Sequence, residues 1–264
     1  MFTLTDIVQP TTLEEAYSIL VKRKNNQILG GTAFLRMGKK RIGTGIELSN
    51  LGLDYIKEDD EFIEIGAMTT LRSLEISPII NKYFNGIIKN AVRDIIGVQF
   101  RNVVTVGASV FSKYGFSDVI VALLSLDTYV ELYNGGRIPL DEFFNKKIER
   151  DILTKIYIKK NEKCAVYKSM RNAKSDYPIL NVSVSKLDSQ FKICIGARPQ
   201  RSTVAIEASN FLSSNDINEK NIEMALDMII NDVSFGSNMR ASKDYRTQIS
   251  KILVKRALME VETC

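Results

Sequence analysis

Apolar and polar positions change their period several times along the 264-residue chain, and each change marks an element. Leu13, Ala16, Tyr17 and Leu20 recur at helical spacing, with Thr12 and Glu15 at capping-box separation around the start. Lys22 to Asn26 close that helix in polar residues. Gln27-Ile28-Leu29 then reads as a short strand stopped by Gly30-Gly31, and a second strand, Gly45 to Leu48, follows a basic stretch. The first fifty residues therefore predict a small βαβ unit.

Residues 61–65 alternate as a half-buried strand does. Thr70 to Glu75 and Ile79 to Ile96 read mainly as helices, with a break near Asn85-Gly86. Gly97 to Val110, rich in Val and Thr and punctuated by Gly97 and Gly107, predicts strands and tight turns. Ser117 to Leu126 predicts a buried helix with Val119, Ala122, Leu123 and Leu126 on one face. Thr128 to Tyr133, Asn134-Gly135-Gly136 and Arg137 to Leu140 predict a hairpin, and Asp151 to Lys159 a further strand. Ile179 to Lys186 and Phe191 to Gly196 flank a turn at Asp188-Ser189-Gln190. Two helices close the chain, one marked by Ile222, Ala225, Leu226 and Ile229, the other by Tyr245, Ile249, Ile252, Leu253 and Ala257. Strands and helices grouped in blocks predict an α+β fold rather than one doubly wound sheet.

Composition narrows the chemistry more than the fold. With 45% hydrophobic and 25% charged residues the chain can bury a sizeable core, and its length suits two domains. No apolar run is long enough for a membrane span, and Met1 to Asp6 lack a secretion signal's basic-then-apolar pattern. Cys164, Cys194 and Cys264 are scattered and odd in number, so neither a metal cluster nor a disulfide framework is expected, and a reducing cytoplasm is. Histidine is absent, which excludes Ser-His-Asp and Cys-His nucleophiles and every imidazole metal site. Any enzymatic chemistry must come from carboxylates, Lys, Tyr or a bound cofactor. The net charge of +5 suits an anionic ligand without demanding one.

Candidate chemistry sits in three stretches. In Ile28-Leu29-Gly30-Gly31-Thr32-Ala33-Phe34, paired glycines let successive N–H groups converge and a phosphate approach; the plain alternative is a tight turn. The third glycine of the Rossmann fingerprint is missing. Arg101-Asn102-Val103-Val104-Thr105-Val106-Gly107-Ala108-Ser109 again ends an apolar run in a glycine and small residues, as either a ligand loop or a structural turn. Ser117-Asp118 precedes the buried helix, where an Asp caps or binds. The basic cluster Arg36, Lys39, Lys40 and Arg41 lacks interleaved aromatics and reads as a solvated face, so no nucleic acid is expected.

Taken in order, these pieces resemble the FAD-binding (medium) subunit of the molybdenum hydroxylases, the family of xanthine dehydrogenase and of the carbon monoxide dehydrogenase medium subunit. The family's Ala-Gly-Gly-Thr is similar to Leu29-Gly30-Gly31-Thr32, and its Ile-Gly-Ala-x-Thr-Thr-Leu is matched by Ile65 to Leu71. Its Arg-Asn-x-x-Thr-Ile-Gly-Gly-Asn is matched by Arg101 to Ser109, and its acidic residue before Leu-Leu-Ala-Leu-Asp-Ala by Asp118 and Leu123 to Thr128. Tyr167-Lys168-Ser169-Met170-Arg171, Asp176-Tyr177-Pro178, Ile195 to Pro199 and Ala241 to Arg246 resemble its C-terminal domain.

The resemblance implies an FAD-binding domain over residues 1–160, in two α/β subdomains of about 1–55 and 56–160, and a C-terminal sheet-and-helix domain over 161–264. It implies that the cofactor lies between the two subdomains. Leu29, Gly30, Gly31, Thr32, Ala33 and Phe34 would wrap the FAD pyrophosphate through backbone N–H groups. Thr105, Val106, Gly107, Ala108 and Ser109 would form a second loop, Asp118 would accept from sugar-like hydroxyls, and Ile95 and Leu153 would line the rings. No side chain is expected to act as acid or base and no metal is expected on this chain. Implied partners are an iron–sulfur subunit and a molybdopterin-binding large subunit, with NAD+ as acceptor and a purine or related N-heterocycle as substrate of the complex. Two departures, Ala108-Ser109 for Gly-Asn and Ala33 for a polar residue, raise a second reading: an FAD-free subunit that only bridges partners.

Overall fold

The computed structural model describes residues 1–147 and 150–264. In chain order it holds β1 (Thr3–Val8), α1 (Leu13–Lys22), β2 (Gln27–Leu29), β3 (Arg41–Glu47), β4 (Ile56–Glu58) and β5 (Phe62–Gly66). Helices α2 (Leu71–Ile76), α3 (Pro78–Asn81), α4 (Ile87–Val92), α5 (Val98–Arg101), α6 (Val106–Phe111) and α7 (Asp118–Ser125) follow. Then come β6 (Thr128–Leu132), β7 (Gly136–Pro139), α8 (Leu140–Asn145), β8 (Leu153–Lys159), β9 (Cys164–Arg171), β10 (Pro178–Leu187), β11 (Gln190–Gly196) and β12 (Thr203–Val204). The chain closes with α9 (Ile206–Ser213), α10 (Glu219–Asp232) and α11 (Lys243–Val261). The organisation is α+β. Contacts divide it into one compact unit of Met1–Leu74, Val98–Ser112 and Thr128–Lys159, and another of Glu75–Gly97, Lys113–Asp127 and Lys160–Cys264.

The first unit carries two sheets. Parallel strands in the order β1-β3-β2 make the smaller one. Strand β1 escapes the sequence pattern because it is an edge strand exposed almost throughout, so no alternation of burial marks it. Thr12 caps α1, its hydroxyl accepting from Glu15 N at 3.1 Å, while the Glu15 carboxylate reaches back to Thr11 N at 2.9 Å. Ala16 and Leu20 pack with Ile46, Leu48, Leu53 and Ile152. The larger sheet is antiparallel in the order β4-β5-β8-β6-β7, with Ile63, Ile65, Val130, Ile156 and Ile158 all buried on one side.

Gly97 to Val110 departs from its expected strands and turns: the segment forms α5 and α6. A local cap overrides β propensity here, because Thr105 Oγ1 accepts from Ala108 N at 3.3 Å and starts a helix whose Val106 and Val110 are buried. The break expected near Asn85-Gly86 is present, with φ of 54° and 64°.

In the second unit an antiparallel sheet, β12-β11-β10-β9, has α9, α10 and α11 on one face and α7 on the other. Strand β10 alternates apolar Leu180, Val182 and Val184 with polar Asn181, Ser183 and Ser185, yet both faces are buried. The apolar face joins the helical core. The polar face meets α7, where Ser183 Oγ donates to Val121 O and Ser185 Oγ to Ser125 O, each at 2.6 Å. Burial of those hydroxyls is offset by these bonds.

One expectation is corrected in this unit, that of the cysteines. The helix marked by Tyr245 to Ala257 is present as α11, on which Tyr245 and Ile252 are 40% and 43% exposed and the buried face is Arg246, Ser250, Leu253, Val254, Ala257, Leu258 and Val261. Arg246, only 1% exposed, donates to Ile179 O, Gly236 O, Ala241 O and Asn238 Oδ1, which is how a guanidinium replaces an apolar residue there. The odd cysteine count conceals a pair: Cys164 and Cys264, 100 residues apart, are disulfide-bonded across Cα atoms 6.1 Å apart, and Cys194 is a buried free thiol.

Candidate functional site

Strand β2 runs directly into the first glycine bend. Gly31 and Thr32 follow one another in the left-handed region, at φ of 70° and 53°. Glycine adopts that backbone without penalty, but a β-branched threonine does so only where its surroundings hold it. The surroundings are the second glycine segment. A methyl on Gly30 would lie 2.5 Å from Ala108 Cβ and 2.9 Å from Thr105 Oγ1, and one on Gly31 would lie 2.0 Å from Val103 O.

The Ile65-Gly66-Ala67 motif joins the same knot. A methyl on Gly107 would meet Ala67 O at 2.6 Å, and one on Gly66 would meet Leu53 O at 2.2 Å. Main-chain bonds tie the pieces: Ala67 N to Thr154 O, Gly107 N to Ala67 O, Val106 N to Thr69 O and Leu71 N to Val104 O, all at 2.9 Å. Leu153 is buried beside Thr154 at the start of β8. The two bends and Leu153 thus belong to the first unit, whereas Ile95 and Asp118 belong to the second.

The two bends offer a ligand different things. The N–H groups of Gly31, Thr32 and Ala33 donate to no acceptor among the described residues, and all three residues are half-buried. Successive N–H groups on such backbone form an anion-binding concavity. The N–H groups of the second bend are already taken: Val106 by Thr69 O, Gly107 by Ala67 O, Ala108 by Thr105 Oγ1 and Ser109 by Thr105 O. A main-chain grip by residues 106–109 therefore has no free donor. Ala108 is helical, and its methyl is accommodated because Gly30 has none. The basic cluster after the first bend is exposed, with Lys40 Nζ bonded to Gln27 Oε1.

Asp118 stands at the first position of α7, where Ser117 performs the capping by accepting from Ile120 N at 3.4 Å. Its carboxylate is 3% exposed, and Oδ1 accepts from Tyr167 Oη, from Arg171 Nη2 at 2.8 Å and from Asn181 Nδ2 at 3.0 Å. Burial raises the Asp118 pKa against the opposing pull of Arg171, Tyr167 and Asn181, and both burial and the carboxylate push the Tyr167 phenol well up. Sequence reasoning named Tyr167 and Arg171 only as part of a motif; their service to Asp118 has no local signal, since they lie 49 and 53 residues away. Ile95 is buried just after α4.

Among the described residues no three acidic or cysteine side chains gather where they could hold a metal ion, and no helix is long and apolar enough to cross a membrane.

Residues 2–159 match the FAD binding domain in molybdopterin dehydrogenase, and residues 165–261 match the CO dehydrogenase flavoprotein C-terminal domain. The chain is 24% identical over 269 residues to the nicotine 6-hydroxylase medium subunit of Paenarthrobacter nicotinovorans, covering 95% of each. It is 24% identical over 273 residues to the glyceraldehyde dehydrogenase medium chain of Sulfolobus acidocaldarius, covering 96% of this chain and 97% of that one. Its backbone superposes on a chain of the reconstituted CO dehydrogenase from Oligotropha carboxidovorans with a TM-score of 0.90 at 20% identity, covering 99% and 98%. That likeness shows the shared fold.

Proposed function

The chain belongs to the FAD-binding subunits of the molybdenum hydroxylase-like dehydrogenases, and from that membership we propose that it is the electron-transfer subunit of such a complex, taking electrons from a partner's iron–sulfur clusters and delivering them to NAD+. FAD is its cofactor and its class is oxidoreductase. The observation that carries the assignment to particular residues is the first bend, whose Gly31, Thr32 and Ala33 N–H groups have no internal acceptor on a backbone locked by Val103 and Ala108. Those groups fit a diphosphate.

The bound flavin supplies two-electron and one-electron redox chemistry. The chain's own work is holding and screening. Leu29 to Phe34 bind the diphosphate through main chain, and Thr105, whose hydroxyl oxygen accepts from Ala108 N, keeps its hydroxyl proton to donate, whereas the Ser109 hydroxyl is spent on Thr105 O at 2.9 Å. Asp118, held by Arg171, Tyr167 and Asn181, is assigned to sugar hydroxyls, and Ile95 and Leu153 to ring contacts; both assignments rest on the resemblance. A functional division near residue 160 belongs to the same reading and is supported by the separate matches over 2–159 and 165–261.

An iron–sulfur subunit and a molybdopterin-binding large subunit are the proposed partners, and an N-heterocycle is the proposed substrate of the complex. The nicotine 6-hydroxylase medium subunit among the relatives supports that substrate class. A cytoplasmic setting is proposed too; the Cys164–Cys264 bond makes thiol mapping of protein from cells its test.

Titration of the purified chain with FAD tests the reading. One equivalent should bind with quenched fluorescence and visible flavin bands, and the reduced protein should be reoxidised by NAD+. Absence of any flavin binding would leave the FAD-free bridging subunit, and reoxidation by a quinone but not by NAD+ would replace the acceptor alone.

A further inference from the structure

Three buried or half-buried arginines of the second unit spend their donors differently. Arg246 uses Nε, Nη1 and Nη2 on internal oxygens. Arg171 likewise engages Nε with Ser169, Nη1 with Asp176 O, and Nη2 with Asp118 and Tyr167. Arg198 does not. Its Nε donates to Arg201 O at 2.8 Å, and its Nη1 to Gln200 Oε1 at 2.9 Å, Ser234 O at 2.6 Å and Ser234 Oγ at 2.9 Å. Nη2 makes no hydrogen bond among the described residues, and no carboxylate pairs with the guanidinium. One edge is fixed by neutral acceptors, and Nη2 is left without one on a half-buried side chain.

The loop that carries Arg198 interlocks with the loop at residues 113–117. Ala197 N donates to Gly115 O at 2.6 Å, and a methyl on Gly115 would lie 2.2 Å from Gln200 O. Ala197 and Lys113 both hold left-handed backbone, at φ of 55° and 52°. This seating brings Lys113 within the electrostatic reach of Arg201, and burial together with that repulsion lowers the Lys113 pKa. Like charges drawn together on rigid backbone, with a preoriented guanidinium beside them, favour an anion. Next to Lys113, Tyr114 stacks on Phe116 at 5.3 Å and 12°, and Phe116 meets Tyr177 edge-on at 5.2 Å. Tyr114 is the solvent-side ring, 39% exposed.

We propose that Arg198, Lys113 and Arg201 receive the phosphates of a nucleotide whose base lies against Tyr114, a site additional to the one that holds FAD. Arg198 Nη2 supplies a directed donor, Lys113 and Arg201 supply charge, and the tyrosine supplies a flat apolar face for a ring. The site is distinct from the flavin assignment in its residues, because none of them is among those assigned to FAD in the two bends or at Ile95, Asp118 and Leu153.

Calorimetric titration of the full chain, as purified and after saturation with FAD, tests this with ADP, inorganic pyrophosphate and adenosine as probes. ADP and pyrophosphate should bind both forms, with affinity falling as salt rises. Lys113→Ala and Arg201→Ala should each weaken ADP about tenfold, the effect of losing one charged contact of about 1.4 kcal/mol, while FAD content stays unchanged. Arg198→Lys should weaken ADP as well, since it keeps the charge and loses the fixed fork. The proposal is overturned if ADP does not bind at low salt, if adenosine binds as well as ADP, or if the two alanine variants bind ADP normally. Loss of ADP binding on saturation with FAD, or loss of FAD in Lys113→Ala, would overturn it by assigning these cations to the flavin. Failure of FAD to bind, with ADP still bound, would sink the flavin reading and leave this one standing.

Discussion

Gly30 and Ala108, 78 positions apart in the sequence, lie so close that a methyl on Gly30 would fall 2.5 Å from the methyl of Ala108. The pair is a fit of a missing side chain against a present one, and it joins the two glycine-bearing segments. The glycines therefore act first by making room, Gly30 for the side chains of Ala108 and Thr105, Gly31 and Gly107 for the backbone of Val103 and Ala67. The N–H groups left over at residues 31–33 follow from that contact.

Gly31→Ala should be the most damaging single methyl in the bend. It would face Val103 O at 2.0 Å while holding φ at 70°, so a loss of about 3 kcal/mol of stability is expected. Chemical denaturation measures it, and FAD retention should fall in parallel.

Ala108→Gly separates the two functional readings. If Ala108 obstructed the cofactor, its removal would raise FAD affinity. Because the methyl packs on Gly30 within a capped helix, the expected outcome is unchanged FAD affinity and about 1 kcal/mol lost to the helix, read by titration and melting of the same sample.

Lys163 and Asp127 should make stability acid-sensitive. Burial raises the Asp127 pKa, but the hydrogen bond and charge of Lys163 outweigh it and hold the carboxyl below its ordinary 3.8. A depressed folded value means that the contribution is fully present above the ordinary carboxylate range and is lost as pH falls through the folded value. Melting temperature against pH should drop less steeply on the acid side for Asp127→Asn than for the natural chain.

The Cys164–Cys264 bond closes a loop of 100 residues in sequence separation. Cys264→Ser should cost about 2–4 kcal/mol, and added reductant should lower the stability of the natural chain to that of the variant. A non-reducing peptide map should show the two cysteines in one linked fragment.

Ser183→Ala should cost about 1 kcal/mol, the net worth of the hydroxyl's bond to Val121 O. Ser183→Val, which enlarges the side chain against α7, should cost more. Both are read by denaturant midpoint.

Much of the secondary structure was legible because it is signalled locally. The capping box at Thr11 to Glu15, the Asn85-Gly86 break and the Asn134-Gly135-Gly136 hairpin each depend on residues within one turn of each other. One segment was misread although its deciding contact is local: residues 97–110 look strand-like by composition and become helices under the Thr105 cap. Where a distant partner decides, the sequence is silent: strand β10 is buried on both faces because α7 supplies carbonyl acceptors for its hydroxyls.

The sequence by itself determined that no histidine chemistry is available and that the motifs, in their order, belong to an FAD-binding subunit, since identity and order along a chain need no third dimension. Only the tertiary structure decided which N–H groups are free to meet a phosphate. Residues 31–33 keep theirs because the packing of Gly30 on Ala108 and of Gly31 on Val103 holds the bend in a conformation with no internal acceptor, and residues 106–109 lose theirs to Ala67, Thr69 and Thr105. Hydrogen-bond capacity is a property of residue type, but its vacancy depends on which oxygen folding brings within 3 Å or so.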